Sequence, residues 1–80
     1  MNKTYSVQPS WRKRNIRVQA SNAYEAMRVC EMMAFYRPEA AGLSPFALFM
    51  TNAAQQDISP SCRRYTHRDG RFHVDVVEVA

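Results

Sequence analysis

Apolar and polar positions alternate with a period of two at both ends of the chain and with a helical period in its middle. TYSV (4–7) and NIRVQA (15–20) alternate and contain β-formers, which predicts two strands joined through the turn region Pro9-Ser10-Trp11. Ile16, Val18 and Ala20 then share one face, while Asn15, Arg17 and Gln19 share the other.

At Ser21-Asn22 the period changes. Either residue can cap a helix, and Asn22 with Glu25 three positions on approximates a capping box. Ala23, Ala26, Met27, Cys30, Met33 and Ala34 follow the i, i+3, i+4, i+7 rule of a core-facing stripe. The helix is expected to end near Tyr36, because Pro38 disfavours a helical Arg37 and Gly42 follows. Ser44-Pro45 then predicts a second helix through about Gln56, with Phe46, Phe49, Met50 and Ala53 on one face; a buried strand at FALFM is the rival reading.

CRRYTHRDGRFHVDVVEV reads as a β-hairpin turning at Asp69-Gly70 in a type I′ turn. That register sets Arg68 opposite Arg71, His67 opposite Phe72, Thr66 opposite His73, Tyr65 opposite Val74 and Arg64 opposite Asp75. Tyr65, Phe72, Val74 and Val76 form its apolar side; Arg64, Thr66, Arg68, Arg71, His73 and Asp75 form its polar side. The order ββααββ predicts a single α+β domain over residues 1–80: a four-stranded, largely antiparallel sheet with two helices packed on one face and the other face open.

Composition agrees with a folded chain, since 46% of residues are apolar and only two are glycine. The N-terminal MNKTYSVQPSW has no apolar leader, and no run approaches the ~18 apolar residues of a membrane span, so a soluble cytoplasmic protein is expected. Cys30 and Cys62 have no CxxC neighbour and read as free thiols in a reducing compartment.

Two chemical readings fail on spacing. Cys62, His73 and Asp75 invite comparison with a nucleophile system, yet Cys62 stands four positions from Thr66, the partner of His73. Four residues of strand are ~13 Å, against the ~3 Å a nucleophile and its base require. Cys62, His67 and His73 match no zinc spacing, and alternation sends His67 and His73 to opposite faces. No enzymatic activity, cofactor or metal is expected.

Charge is more informative. The net charge is +4 with a pI near 9.5, and residues 1–20 carry Lys3, Arg12, Lys13, Arg14 and Arg17 without one acid. Trp11, Arg12, Lys13 and Arg14 in the turn, with Arg64, Arg68, Arg71 and His73 on the hairpin, are the candidate partner-binding residues: arginine forks suit anions, and Trp11 could stack. A merely solvated basic face is the plain alternative. No RNP1-like run, GxxG clamp or helix-turn-helix pattern is present. The first helix also carries apolar residues beyond its core stripe; Met32, Phe35 and Tyr36 are the candidate surface for a homodimer.

The strand-to-helix junction IRVQASNAYEAM, the hairpin CRRYTHRDGRFHVDVVEV, the charge asymmetry and the absence of a catalytic motif together resemble, as a shape and charge class, the small anti-CRISPR proteins of phages and mobile elements. Those inhibitors share no common motif, so no residue role transfers. The resemblance implies a non-enzymatic inhibitor that docks on a host CRISPR-Cas effector complex and blocks target nucleic-acid recognition or nuclease recruitment. Its partner would be a protein or ribonucleoprotein with an acidic or phosphate surface. A basic nucleic-acid-binding module and a dimeric phage structural or scaffold protein are the alternatives.

Overall fold

The computed structural model describes residues 2–33, 35–37, 42, 53–68 and 70–79. Five strands, β1 (Lys3–Pro9), β2 (Ile16–Ala20), β3 (Ala54–Ser59), β4 (Cys62–Thr66) and β5 (His73–Val79), form one sheet in the order β2-β1-β5-β4-β3. Every neighbouring pair is antiparallel. The first and last strands of the chain therefore lie side by side in the middle of the sheet.

The α+β class and the antiparallel sheet with a helix on one face agree with the pattern; among the described residues the strand and helix numbers do not. Four strands were expected and the described residues hold five. Of the second helix, residues 44–52 lie outside the described residues, but its expected end, Ala54 to Gln56, is strand. Alanine and glutamine suit a helix locally; here Pro60-Ser61 is a two-residue connection that pairs Ser59 with Cys62 and Ala54 with Thr66. Pairing with β4 overrides intrinsic preference. Among the described residues there is one helix, α1 (Ala23–Met32).

Helix α1 begins as expected. Asn22 is extended and its side chain accepts from the Glu25 N–H at 2.8 Å, while Glu25 Oε2 accepts from the Ser21 N–H at 3.1 Å and from the Ser21 hydroxyl, closing a capping box one residue wider than the usual one. The two bonds from Ser21, hydroxyl first, hold the Glu25 carboxyl below its usual range. The helix ends a turn early: the Phe35 N–H bonds to the Cys30 carbonyl at 3.0 Å, and Tyr36 folds beneath the helix, its hydroxyl donating to the Met27 carbonyl at 2.6 Å. Met33, expected in the buried stripe, is instead 55% exposed.

The core lies between α1 and one face of β2, β1 and β5. Ala26, Met27 and Cys30 pack on Tyr5, Val7, Val18, Ala20, Val74 and Val76, with Tyr36 and Tyr65 at its edges. Burying Met27 alone is worth about 2–5 kcal/mol by comparison with truncation to alanine. Both cysteines are free, and burial pushes the Cys30 thiol up to about 11. No helix among the described residues is long and apolar enough to cross a membrane.

Candidate functional site

The hairpin β4–β5 has the expected register from Arg64–Asp75 through Thr66–His73, and the His67 N–H donates to the Phe72 carbonyl at 2.9 Å. Its turn is shifted. Gly70 donates to the His67 carbonyl at 2.7 Å with φ +85°, so the turn runs from His67 to Gly70 and Arg68 does not face Arg71 as a strand pair. Glycine at the fourth position of the turn meets a positive φ without a Cβ penalty.

On the hairpin's polar side Arg64 is already engaged. Its guanidinium binds Asp75 through two bonds, 2.8 and 3.1 Å, and His73 Nε2 lies 3.8 Å from the same carboxylate. A bidentate pair of this kind leaves little net charge for a partner. The exposed arginines of the hairpin are at its tip, Arg68 and Arg71, and Arg71 rests over the Phe72 ring at 5.3 Å.

The turn between β1 and β2 docks against that tip. The Ser10 N–H donates to the His73 carbonyl at 2.8 Å, the His73 N–H returns to the Ser10 hydroxyl at 3.0 Å, and the Trp11 ring meets Phe72 edge-on at 5.9 Å. Trp11 also meets Tyr36 edge-on at 5.7 Å and donates its indole N–H to the Tyr36 carbonyl. Next to it, Arg12 donates to the Phe35 carbonyl and lies over the Phe35 ring at 4.9 Å. Carbonyls beyond a helix C-terminus need partners and favour a cation, which explains a tryptophan and an arginine side by side in the turn. Lys13 and Arg14 continue outward, both exposed.

Three basic segments thus meet at one end of the molecule: residues 10–15, residues 35–37 and the tip 67–72. Among the described residues they hold Arg12, Lys13, Arg14, Arg37, Arg68 and Arg71 and no acid, whereas the rest hold five cations and five acids. The whole excess of cations over acids among the described residues lies at this end. Among the described residues no acid pairs with Lys13, Arg14, Arg37 or Arg68. Beside the turn lies a cavity of about 360 Å³ lined by Arg12, Arg14, Arg37, Ile16, Met33 and Phe35.

The opposite end has a different character. A cavity of about 380 Å³ between the start of α1 and strands β3 and β4 is lined by residues including Tyr24, Gln55, Tyr65 and Arg63. There Lys3 pairs with Glu78 at 3.2 Å and Arg63 with Asp57 at 3.0 Å, so charges of both signs neutralise each other.

Of the sequence-derived residues, the structure brings Trp11, Arg12, Lys13, Arg14, Arg68 and Arg71 together and sets Arg64 and His73 on the sheet face around Asp75. Sequence reasoning missed Arg37; its neighbour Pro38 was read only as a helix stop, although an arginine beside a helix end is itself a signal. In the candidate dimer surface Met32 is 81% exposed and Phe35 half-buried, but Tyr36, at 3%, belongs to the core. The register holds Cys62 opposite Val77 and His73 opposite Thr66, four residues apart along the strands. Among the described residues no cluster of three His, Cys, Asp or Glu side chains could hold a metal. No family model, no curated protein and no solved structure matches this chain.

Proposed function

We propose that the protein is a non-enzymatic docking protein of the bacterial cytoplasm, of phage or mobile-element origin, that inhibits a host CRISPR-Cas effector complex by occupying a phosphate-rich surface with its basic end. The observation that supports this is the convergence of three basic segments around the Trp11–Phe72 and Ser10–His73 contacts. Concentrating the charge at one end of a small domain gives it a strong dipole, which orients the molecule as it approaches an anionic surface and speeds docking. Trp11 acts in this reading as the pin that holds the end together, and the exposed Lys13, Arg68 and Arg71 make contact.

Charge reversal of Lys13, Arg68 and Arg71 together is expected to weaken binding to an effector ribonucleoprotein by at least about tenfold at low salt. Unchanged binding refutes the basic end as the contact. Guanidinium groups resting on aromatic rings, Arg12 on Phe35 and Arg71 on Phe72, favour a second reading, direct binding of nucleic acid. Free RNA or DNA distinguishes the two: a nucleic-acid module binds it with an affinity falling steeply as salt rises, whereas the inhibitor requires the assembled complex.

A further inference from the structure

The cavity beside the turn is built for a more particular ligand than a polyanion. Gripping a phosphate backbone requires only solvated cations. Among the described residues this cavity is lined by three guanidinium groups, Arg12, Arg14 and Arg37, around apolar walls of Ile16, Met33 and Phe35, and by no acid. Its volume, about 360 Å³, lies among those of small-molecule sites. Met33 is left 55% exposed on its wall.

Two details give the cavity an orientation. Arg12 is fixed at one N–H by the Phe35 carbonyl and lies over the Phe35 ring at 4.9 Å, so its guanidinium is held as a stacking plane; nucleobases stack on such planes. Arg37 is held at φ +44°, in the left-handed region that a residue with a side chain seldom adopts. Residues kept in that region gather where ligands are clamped. Arg14 and Arg37 are thereby placed at one cavity, each with a fork suited to a phosphate.

We propose that this cavity takes one unstacked nucleotide, its base against Arg12 and the Phe35–Met33 wall and its phosphate on Arg14 and Arg37. The same chemistry is offered by a free nucleoside monophosphate and by an unpaired position in a single strand. The inference deepens the docking reading and rests on it for the phosphate-seeking character of this end.

The test follows backbone amide NMR shifts of the intact protein at low salt during titration with adenosine 5′-monophosphate, inorganic phosphate, a single-stranded RNA trinucleotide and an RNA duplex. The nucleotide is expected to shift Arg14, Asn15, Ile16, Met33, Phe35 and Arg37, and to bind at least about tenfold more tightly than inorganic phosphate, the difference being the stacked base. Arg14→Glu with Arg37→Glu, or Met33→Glu alone, is expected to remove that difference. Lys13→Glu with Arg68→Glu is expected to leave the ratio of nucleotide to inorganic phosphate affinity within about twofold while weakening effector binding, which separates failure of the cavity from failure of the docking surface. Tighter binding of the trinucleotide than of the monophosphate assigns the cavity to a strand; equal binding assigns it to the free nucleotide. Phosphate binding as tightly as the nucleotide, shifts confined to Arg68 and Arg71, or the duplex shifting the same residues equally would each overturn the proposal.

Discussion

Trp11 tests whether the basic end is a folded unit. In Trp11→Phe the indole N–H to the Tyr36 carbonyl is lost, which costs about 1 kcal/mol where the acceptor is only partly buried. The edge-on contacts with Tyr36 at 5.7 Å and Phe72 at 5.9 Å are worth about 0.5–1.5 kcal/mol each, and the smaller ring keeps part of them. The expected loss is about 1–2 kcal/mol for Trp11→Phe. For Trp11→Ala, which forfeits the bond and both ring contacts, it is about 2–4 kcal/mol. In a domain of this size each kcal/mol lowers Tm by about 4–8 °C, so both changes are readily measured.

Because Trp11 is the sole tryptophan, urea unfolding is followed by far-ultraviolet circular dichroism rather than fluorescence. Affinity for the effector complex is measured alongside on folded protein. The pin account requires that Trp11→Phe destabilise the domain while its affinity changes by less than about threefold. A variant of unaltered stability that loses tenfold in affinity would show that Trp11 touches the partner, and the reasoning from its internal contacts would be refuted.

Further outcomes follow from the same structure. Asn22→Ala removes the helix cap and is expected to cost about 1 kcal/mol in chemical unfolding; a change below about 0.3 kcal/mol would contradict the cap. Thiol labelling of the native protein is expected to modify the half-exposed Cys62 well before the buried Cys30, and equal rates would show that the helix opens readily. Burial raises the Cys30 thiol from 9.0 to about 11, so its stabilising effect is whole below pH 9 and is lost as pH rises through about 11, by up to about 3 kcal/mol. Tyr36, also pushed up by burial, adds to that alkaline loss, and a flat stability profile from pH 9 to 11 would count against both. Asp75→Asn releases Arg64 from its bidentate partner and raises the net charge by one; salt-sensitive affinity for a polyanion is expected to increase, and no change would exclude the sheet face from the contact.

Much of the local structure was legible. The 60s–70s hairpin could be read to the individual pair, Arg64 with Asp75 and Tyr65 with Val74, because alternation over a dozen residues admits one register that buries Tyr65, Val74 and Val76 together. Asn22 was visible as a cap because its bond is to a backbone group three residues away. Strand β3 was hidden: AQQDIS has no apolar alternation, every one of its residues but Ser59 is exposed, and pairing with β4 alone makes it a strand. The early end of α1 was hidden for a related reason, since Tyr36 is drawn under the helix by the Met27 carbonyl and not by any local stop signal.

The sequence by itself determined the elements at both ends, the helix start, the faces of the hairpin and the excess of cations, because each depends on neighbours within a few positions. Only the tertiary structure decided that those cations form one surface. Ser10 bonds to His73 across 63 positions and Trp11 reaches Tyr36 across 25, and placing β1 beside β5 is what carries the first turn to the last hairpin. No periodicity records such a meeting, since it is set by which strands pair and by the core that fixes them.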